Sequence, residues 1–215
     1  MLRSVNPYDH IEEEAKRLGL EEDLQSWPSR QSPIFQELIE ELRPENIVEL
    51  GSWKGGSAIR MAEICDQLKL ETKIHCVDTW LGSAEHFDGK PRDYLFPVDV
   101  LGTPLLYQQF LLNVKLNGHE TRIIPYRNTA SHLAILFGKQ GKKAELIYVD
   151  GPHDYESVYQ DLCSYALLLT DKKSVLFGDD YHLDSVRAAV IRFAFEFQFS
   201  VQYIKESNHF VLRQK

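Results

Sequence analysis

The feature that most narrows the fold of this chain is an alternation. Short runs of β-branched and apolar residues, each too brief for a helix, are followed by apolar residues at helical spacing. The runs are residues 47–50, 73–77, 122–125, 146–149 and 174–177. Helical patterns lie between them: Ile59, Met61 and Ala62; residues 105–116; residues 131–138; then Tyr155, Val158, Tyr159 and Leu162. Val186, Val190, Phe193 and Phe197 mark a last helix. Strands that alternate with helices build a parallel sheet of repeated βα units. The tail breaks this pattern. Residues 199–204 and 209–212 read as two strands separated only by residues 205–208, and so short a connection forces an antiparallel hairpin, since a parallel crossover needs about a dozen residues.

The expected fold is α/β: a Rossmann-like, doubly wound sheet of seven strands, mostly parallel, with an antiparallel C-terminal hairpin. That hairpin separates the chain from ordinary dinucleotide-binding oxidoreductases. A length of 215 residues suits one domain. Residues 1–30 are polar, broken by Pro7 and Pro28, and expected to form one or two lead-in helices. Phe35, Leu38, Ile39 and Leu42 begin the domain proper, on a helix ended by Pro44. The net charge of −8 is concentrated at the start, where residues 1–50 hold 12 acidic against 5 basic side chains. No basic stripe exists for nucleic acid, and no apolar stretch is long enough to span a membrane. The opening residues lack a signal-peptide core, and three widely spaced cysteines (Cys65, Cys76, Cys163) fit neither a disulfide framework nor a zinc site. The expectation is a cytoplasmic protein with reduced thiols, with self-association left open.

Residues 49–57, Glu-Leu-Gly-Ser-Trp-Lys-Gly-Gly-Ser, join the first strand to its helix. Glycines in such a turn let backbone approach a ligand, and the helix N-terminus offers N–H groups to an anion. If Gly51 and Gly56 are overlaid on the first and third glycines of the dinucleotide fingerprint, the second position becomes Trp53, whose bulk disfavours a pyrophosphate. A nucleoside bearing a compact, charged amino-acid tail suits the turn better. Asp78, 22 residues past Gly56 at the end of the second strand, is placed to accept ribose hydroxyls.

Glu49-x-Gly51-x-x-x-Gly55 followed by Asp78 resembles the class I S-adenosylmethionine (SAM)-dependent methyltransferases. Asp78-Thr79-Trp80 and the run Asp150-Gly151-Pro152-His153-Asp154-Tyr155 narrow the likeness to small sugar and natural-product O-methyltransferases, the macrocin O-methyltransferase-like and cephalosporin hydroxylase-like groups. It covers about residues 33–213. The resemblance implies a methyltransferase domain over residues 31–215 and SAM as cofactor. Gly51, Trp53 and Gly55 then line the methionine moiety, Glu49 positions it, Ser57 joins the cofactor-binding set, and Asp78 holds the ribose. Thr129 or Ser131 falls where the family contacts adenine.

Asp150 closes the fourth strand, and Asp179 with Asp180 closes the fifth. Neighbouring parallel strands present their carboxyl ends to one crevice, where three acids repel unless protonated or neutralised. Oxygen ligands select a hard ion, Mg²⁺ before Zn²⁺. Metal-dependent members of the resembled family carry acids at these positions. The competing role for Asp179, Asp180 and Asp154 is to cap the helices that follow. For the general base, His153 is the first candidate, His182 its rival and Lys54 a distant third. Pro152 occupies the place where some metal-dependent relatives carry an acid. His10, His75, His119 and His209 are expected to be structural or superficial. The long insertion over about residues 79–103, with Trp80, His86, Phe87, Tyr94 and Phe96, reads as a substrate cover or a dimer contact. The function expected is SAM-dependent, Mg²⁺-assisted methylation of a small hydroxylated acceptor. A nicotinamide oxidoreductase and a non-catalytic binding or assembly protein are the alternatives.

Overall fold

A computed structural model of the chain describes residues 6–25, 31–83, 86 and 97–215. Seven strands form one sheet: β1 (Asn46–Leu50), β2 (Lys73–Asp78), β3 (Ile123–Arg127), β4 (Leu146–Val149), β5 (Val175–Gly178), β6 (Phe199–Ile204) and β7 (His209–Gln214). Their order is β3-β2-β1-β4-β5-β7-β6. The first five pair in parallel, while β7 runs antiparallel to both β5 and β6. The expected architecture, terminal hairpin included, is therefore the observed one. Pro125 lies inside β3, two residues short of where that strand ends. It is tolerated because β3 is an edge strand, and the missing N–H interrupts no second ladder.

Alternate strand residues face opposite layers, as the two-residue pleat requires. Ile47, Ile74, Tyr148 and Phe177 pack under α1 (Ile11–Leu18), α2 (Ile34–Leu42), α3 (Gly56–Gln67) and α4 (Leu106–Leu116). Val48, Val77, Ile147 and Leu176 pack under α5 (Ala130–Lys139), α6 (Tyr155–Ala166) and α7 (Asp184–Glu196). Strands covered on both faces read as continuous apolar runs, which is why they were legible. The acidic leading segment is anchored: Tyr8, Ile11 and Ala15 are buried and the Tyr8 hydroxyl donates to Ile123 O at 3.0 Å, leaving Glu12 and Glu13 exposed. No described helix is long and apolar enough to cross a membrane. All three cysteines are free.

Strand order reverses at β1, whose neighbours are β2 and β4. At such a switch point the βα turns part, and a crevice opens beyond the carboxyl ends of the strands.

Candidate active site

A cleft of about 740 Å³ occupies that crevice. Gly51, Trp53, Ser57, Asp78, Thr129, Ser131, Asp150, His153, Asp179 and Asp180 all line it. Glu49, Gly55 and His182 do not. Lys54 lines it as well.

The β1–α3 turn forms one wall. Gly51 (φ +82°) donates its N–H to Val77 O at 2.9 Å, and a Cβ there would stand 1.9 Å from Asp150 O. Gly55 (φ +85°) caps α3, and its Cβ would meet Phe110 Cδ2 at 3.0 Å. Both glycines thus admit close approach of the protein to itself; Gly51 also borders the cleft, whereas Gly55 does not. The turn meets the cleft through Gly51, Ser52, Trp53 and Lys54 and through Gly56 and Ser57 in the first turn of α3. Glu49 lies beneath, fully buried, accepting from Ser57 Oγ at 2.5 Å and Cys76 Sγ at 3.3 Å. Burial pushes its carboxyl up, against the pull of those hydrogen bonds. It braces the turn from below.

Asp78 accepts from Trp80 N at 2.7 Å and Trp53 N at 2.9 Å, one bond to each oxygen. Each carboxylate oxygen keeps a lone pair for a further donor. Burial raises its pKa, and the backbone donors of Trp80 and Trp53 oppose the rise. Trp53 Nε1 donates to Gln25 Oε1 at 2.9 Å, and its ring lies 4.8 Å from that of His86. Lys54, 1% exposed, pairs with Asp23 at 2.5 Å. Asn113 ties the two backbones together, donating to both Asp23 O and Lys54 O at 2.8 Å. The leading segment thus straps the turn, with Leu24 and Gln25 reaching the cleft. No local pattern announces contacts between residues about thirty positions apart, and the sequence reading missed them.

On the other wall, Asp150, His153 and Asp180 each offer a ligand atom within 4.8 Å of the others. His153 Nε2 is 2.9 Å from Asp180 Oδ2, whereas His182 Nδ1 is 3.9 Å from Asp180 Oδ1. Asp179 is not in that group; its Oδ1 accepts from the Asp180 N–H at 2.7 Å. The Tyr148 hydroxyl donates to Asp150 Oδ2 at 3.1 Å. Burial, then the charges of Asp179 and Asp180, push the Asp150 carboxyl well above the usual range. Burial acts upward on Asp180 too, but the hydrogen bond and charge of His153 outweigh it and hold that carboxyl low. The helix-capping alternative divides cleanly. Asp154 caps α6 through Ser157 N at 3.0 Å, while the N-cap position of α7 is held by Leu183 with no side-chain cap, leaving Asp179 and Asp180 out of that role.

The third border is the β3–α5 turn. Thr129 caps α5 by accepting from His132 N at 3.3 Å, and Ser131 Oγ is 3.4 Å from its hydroxyl. Asn128 joins them in lining the cleft, as do Glu206, Ser207 and Asn208 from the β6–β7 connection, none of which the sequence singled out. Trp80 corrects an expectation. It does not cover substrate but is fully buried, with Nε1 donating to Trp53 O at 2.8 Å and its ring against Tyr107 and Phe110. His86 does line the cleft; Phe87, Tyr94 and Phe96 lie outside the described residues. His75, His119 and His209 are buried away from it.

Residues 48–181 match the family model described as a methyltransferase domain. No curated protein matches the chain in sequence. Among solved structures, the O-methyltransferase from Bacillus cereus in complex with SAH superposes with a TM-score of 0.59 at 13% identity, over 100% of this chain and 93% of that one. The O-methyltransferase TomG from Streptomyces achromogenes, involved in tomaymycin synthesis and solved with SAM, gives 0.59 at 11% identity, over 100% and 92%. The SAH-bound Podospora anserina methyltransferase PaMTH1 gives 0.57 at 14% identity, over 96% and 88%. At these identities the likeness is one of fold.

Proposed function

The chain belongs to the methyltransferase-domain family, and from that premise we propose that it transfers the sulfonium methyl group of SAM to a hydroxyl of a small acceptor, assisted by a divalent cation, Mg²⁺ first. The observation that carries this reading is the meeting of two unlike walls in one cleft. One offers a helix N-terminus and Asp78; the other offers Asp150, His153 and Asp180. The catalytic domain is read as residues 31–215, with the leading segment as an accessory strap. The acceptor class proposed is a secondary-metabolite or glycosyl hydroxyl; TomG, of like fold, is itself involved in tomaymycin synthesis.

The residues fit both absent groups. The first turn of α3 carries no acid and presents Gly56 and Ser57, which suits the carboxylate of an amino-acid tail. Asp78 has lone pairs left for ribose hydroxyls, and residues 128–131 border the base. Asp150 and Asp180, two carboxylates in mutual reach, suit Mg²⁺ or Mn²⁺ as oxygen donors, and a cation there would offset the burial and the neighbouring Asp179 and Asp180 charges that raise Asp150. When bound, that cation supplies a Lewis acid to the acceptor oxygen. His153 receives the hydroxyl proton, and the Asp180 carboxylate orients the imidazole and stabilises it once protonated. SAM, when bound, would supply the methyl group to the acceptor oxygen, its carbon–sulfur bond breaking with the electron pair left on sulfur. His182 lies outside the cleft lining and is set aside as base.

Calorimetry with SAM, SAH and NADH, beside turnover with and without EDTA, tests the reading. SAM and SAH are expected to bind and NADH not to. Asp180→Asn should abolish EDTA-sensitive turnover while SAH affinity changes less than about threefold. His153→Gln should lower kcat with Mg²⁺ affinity retained. Binding of NADH without SAH would overturn the proposal, and turnover indifferent to both EDTA and Asp180→Asn would overturn its metal.

A further inference from the structure

The sheet ends in two edge strands, β3 and β6, and the chain treats them unequally. Ile74 N donates to Arg122 O, so Arg122, Ile124 and Tyr126 turn their backbone groups to β2, while those of Ile123, Pro125 and Arg127 face outward. That outward row is blocked. The Ile123 N–H donates to His119 O at 2.9 Å, Ile123 O accepts from the Tyr8 hydroxyl at 3.0 Å, and Pro125 has no N–H to offer.

β6 carries no such device. Asn208 O accepts from Tyr181 N, and Gln198 O accepts from Lys215 N. Alternation along β7 therefore turns Phe210 and Leu212 towards β5, and Val211 and Arg213 towards β6. Gln202 and Ser200, which lie opposite Val211 and Arg213, use their backbone groups on β7; those of Phe199, Val201 and Tyr203 point away from it. Among the described residues no hydrogen bond engages that outward row. The strand, Phe-Ser-Val-Gln-Tyr-Ile, holds no proline and no charge, the means by which edge strands ordinarily repel pairing.

The surface beside this edge is apolar too. On α7, Arg192 and Glu196 reach Tyr155 and Tyr159 of α6. Ile191 and Phe195, each one residue earlier and so turned by about 100°, lie on the flank away from α6, the side on which β6 lies. They are 53% and 80% exposed, with Phe197 and Tyr203 at 45% and 41% beside them. Charge does not oppose a second copy here. Residues 184–215 hold five bases and three acids, whereas the acidity of the chain lies in residues 1–50. Arg187, Arg192 and Arg213 are each ion-paired within the chain.

We infer that β6 is a dimer edge: it pairs antiparallel with β6 of a second copy about a two-fold axis through Val201, joining the two sheets into one. In that register Val201 faces Val201, and Phe199 faces Tyr203 of the second copy, so every outward residue exchanges both of its backbone bonds. A shift either way leaves some of them unpaired. Phe199 and Val201 pack under α7, and the Tyr203 ring lies 4.9 Å from that of Tyr181, so the three share one face. The register brings Phe195 and Phe197 of one copy to the Tyr203 end of the other. Such an interface uses the same patch twice, and because β3 is blocked each copy has one open edge, so assembly stops at two. The pairing is independent of what fills the cleft, yet it reaches the cleft's border: the Tyr203 hydroxyl donates to Asn208 Oδ1 at 3.1 Å, and Asn208 lines the cleft.

Sedimentation velocity on the full chain, over about 1–100 μM, is the test. The wild type should sediment at twice the chain mass. Val201→Pro removes an outward N–H while sparing the ladder to β7, as Pro125 spares that of β3, and should raise the dimer dissociation constant at least about 100-fold. Tyr203→Lys sets a charge opposite Phe199 of the second copy and should also yield the single-chain mass; it carries the test alone if far-UV circular dichroism shows the proline variant unfolded. Leu167→Lys, at an exposed position on the C-cap of α6, should leave the dimer intact. A wild type at the single-chain mass throughout, a folded β6 variant still at twice that mass, dissociation by Leu167→Lys, or growth past two copies would each overturn the inference.

Discussion

Replacing Gly51 by alanine puts the architecture of the cleft to the sharpest test, because one added methyl group opposes the contact that holds its two walls together. The new Cβ would lie 1.9 Å from Asp150 O, where real contacts stay beyond 3.0 Å, so turn and strand end must part by about 1.1 Å. That movement pulls on two hydrogen bonds, Gly51 N–H to Val77 O and Asp150 N–H to Leu50 O, both 2.9 Å. Loss or weakening of each costs about 1 kcal/mol. The left-handed backbone at φ +82° adds roughly 1 kcal/mol for any residue with a Cβ. The expected destabilisation is about 3 kcal/mol, a fall in Tm of roughly 6–12 °C for a chain of this size. Turnover should suffer more than stability, since a displacement of about 1 Å between donor and acceptor walls costs on the order of 100-fold in rate. Calorimetric unfolding and kcat/KM measure the two effects. Gly138→Ala is the control: nothing lies within 4 Å of its Cβ, and alanine in that helix should be neutral or stabilising by up to about 1 kcal/mol. A Gly51→Ala protein that melts within about 2 °C of wild type and turns over normally would refute the claim that this contact sets the geometry of the cleft.

Two further outcomes follow from buried charge. His75 is buried on β2 between Tyr126 and Asn46, and burial, with the nearby Lys142 charge, lowers its pKa from 6.5 to about 4. The folded chain thus keeps this imidazole neutral while the unfolded chain takes up a proton below about pH 6.5; its contribution is complete above that pH and is lost as pH falls towards 4. Between pH 7 and pH 5 the wild type should lose about 2 kcal/mol more stability than His75→Gln in urea titrations, and equal losses would contradict this. Asp23→Ala leaves the Lys54 ammonium, 1% exposed, without its partner, and should destabilise by about 1–3 kcal/mol. Adding Lys54→Met should restore part of that loss in thermal unfolding; a double variant no more stable than Asp23→Ala would show that the pair is not what holds the strap.

The parts of this molecule that could be read from its sequence are those where a local pattern has a single physical cause. A parallel strand covered on both faces must be apolar throughout, so residues 146–149 name themselves. A four-residue link between strands cannot cross over, so β6 and β7 were fixed as a hairpin. An acid at the end of such a strand is carried to the crevice by the sheet itself, which is why Asp78, Asp150, Asp179 and Asp180 could be placed there from spacing alone. Which oxygens converge is a different matter. Asp180 takes a left-handed backbone at φ +61°, and it is His153, not Asp179, that shares the group with Asp150 and Asp180. That depends on one dihedral angle no residue pattern encodes.

The glycines show how one residue type can answer more than one constraint. A Gly-rich turn was expected because a ligand must approach its backbone; Gly51 and Gly55 are needed as well because Asp150 and Phe110 approach it, and of the two only Gly51 lines the cleft. Sequence reports that a Cβ is forbidden; it does not report what forbids it. Asp23 and Gln25 were illegible for a related reason. Each is an ordinary polar residue on a polar segment, and acquires meaning only when a distant element, the β1–α3 turn, closes over it. An ammonium is cheap in water and costly once buried without a partner, so Lys54 depends on an acid 31 positions away that no local pattern connects to it.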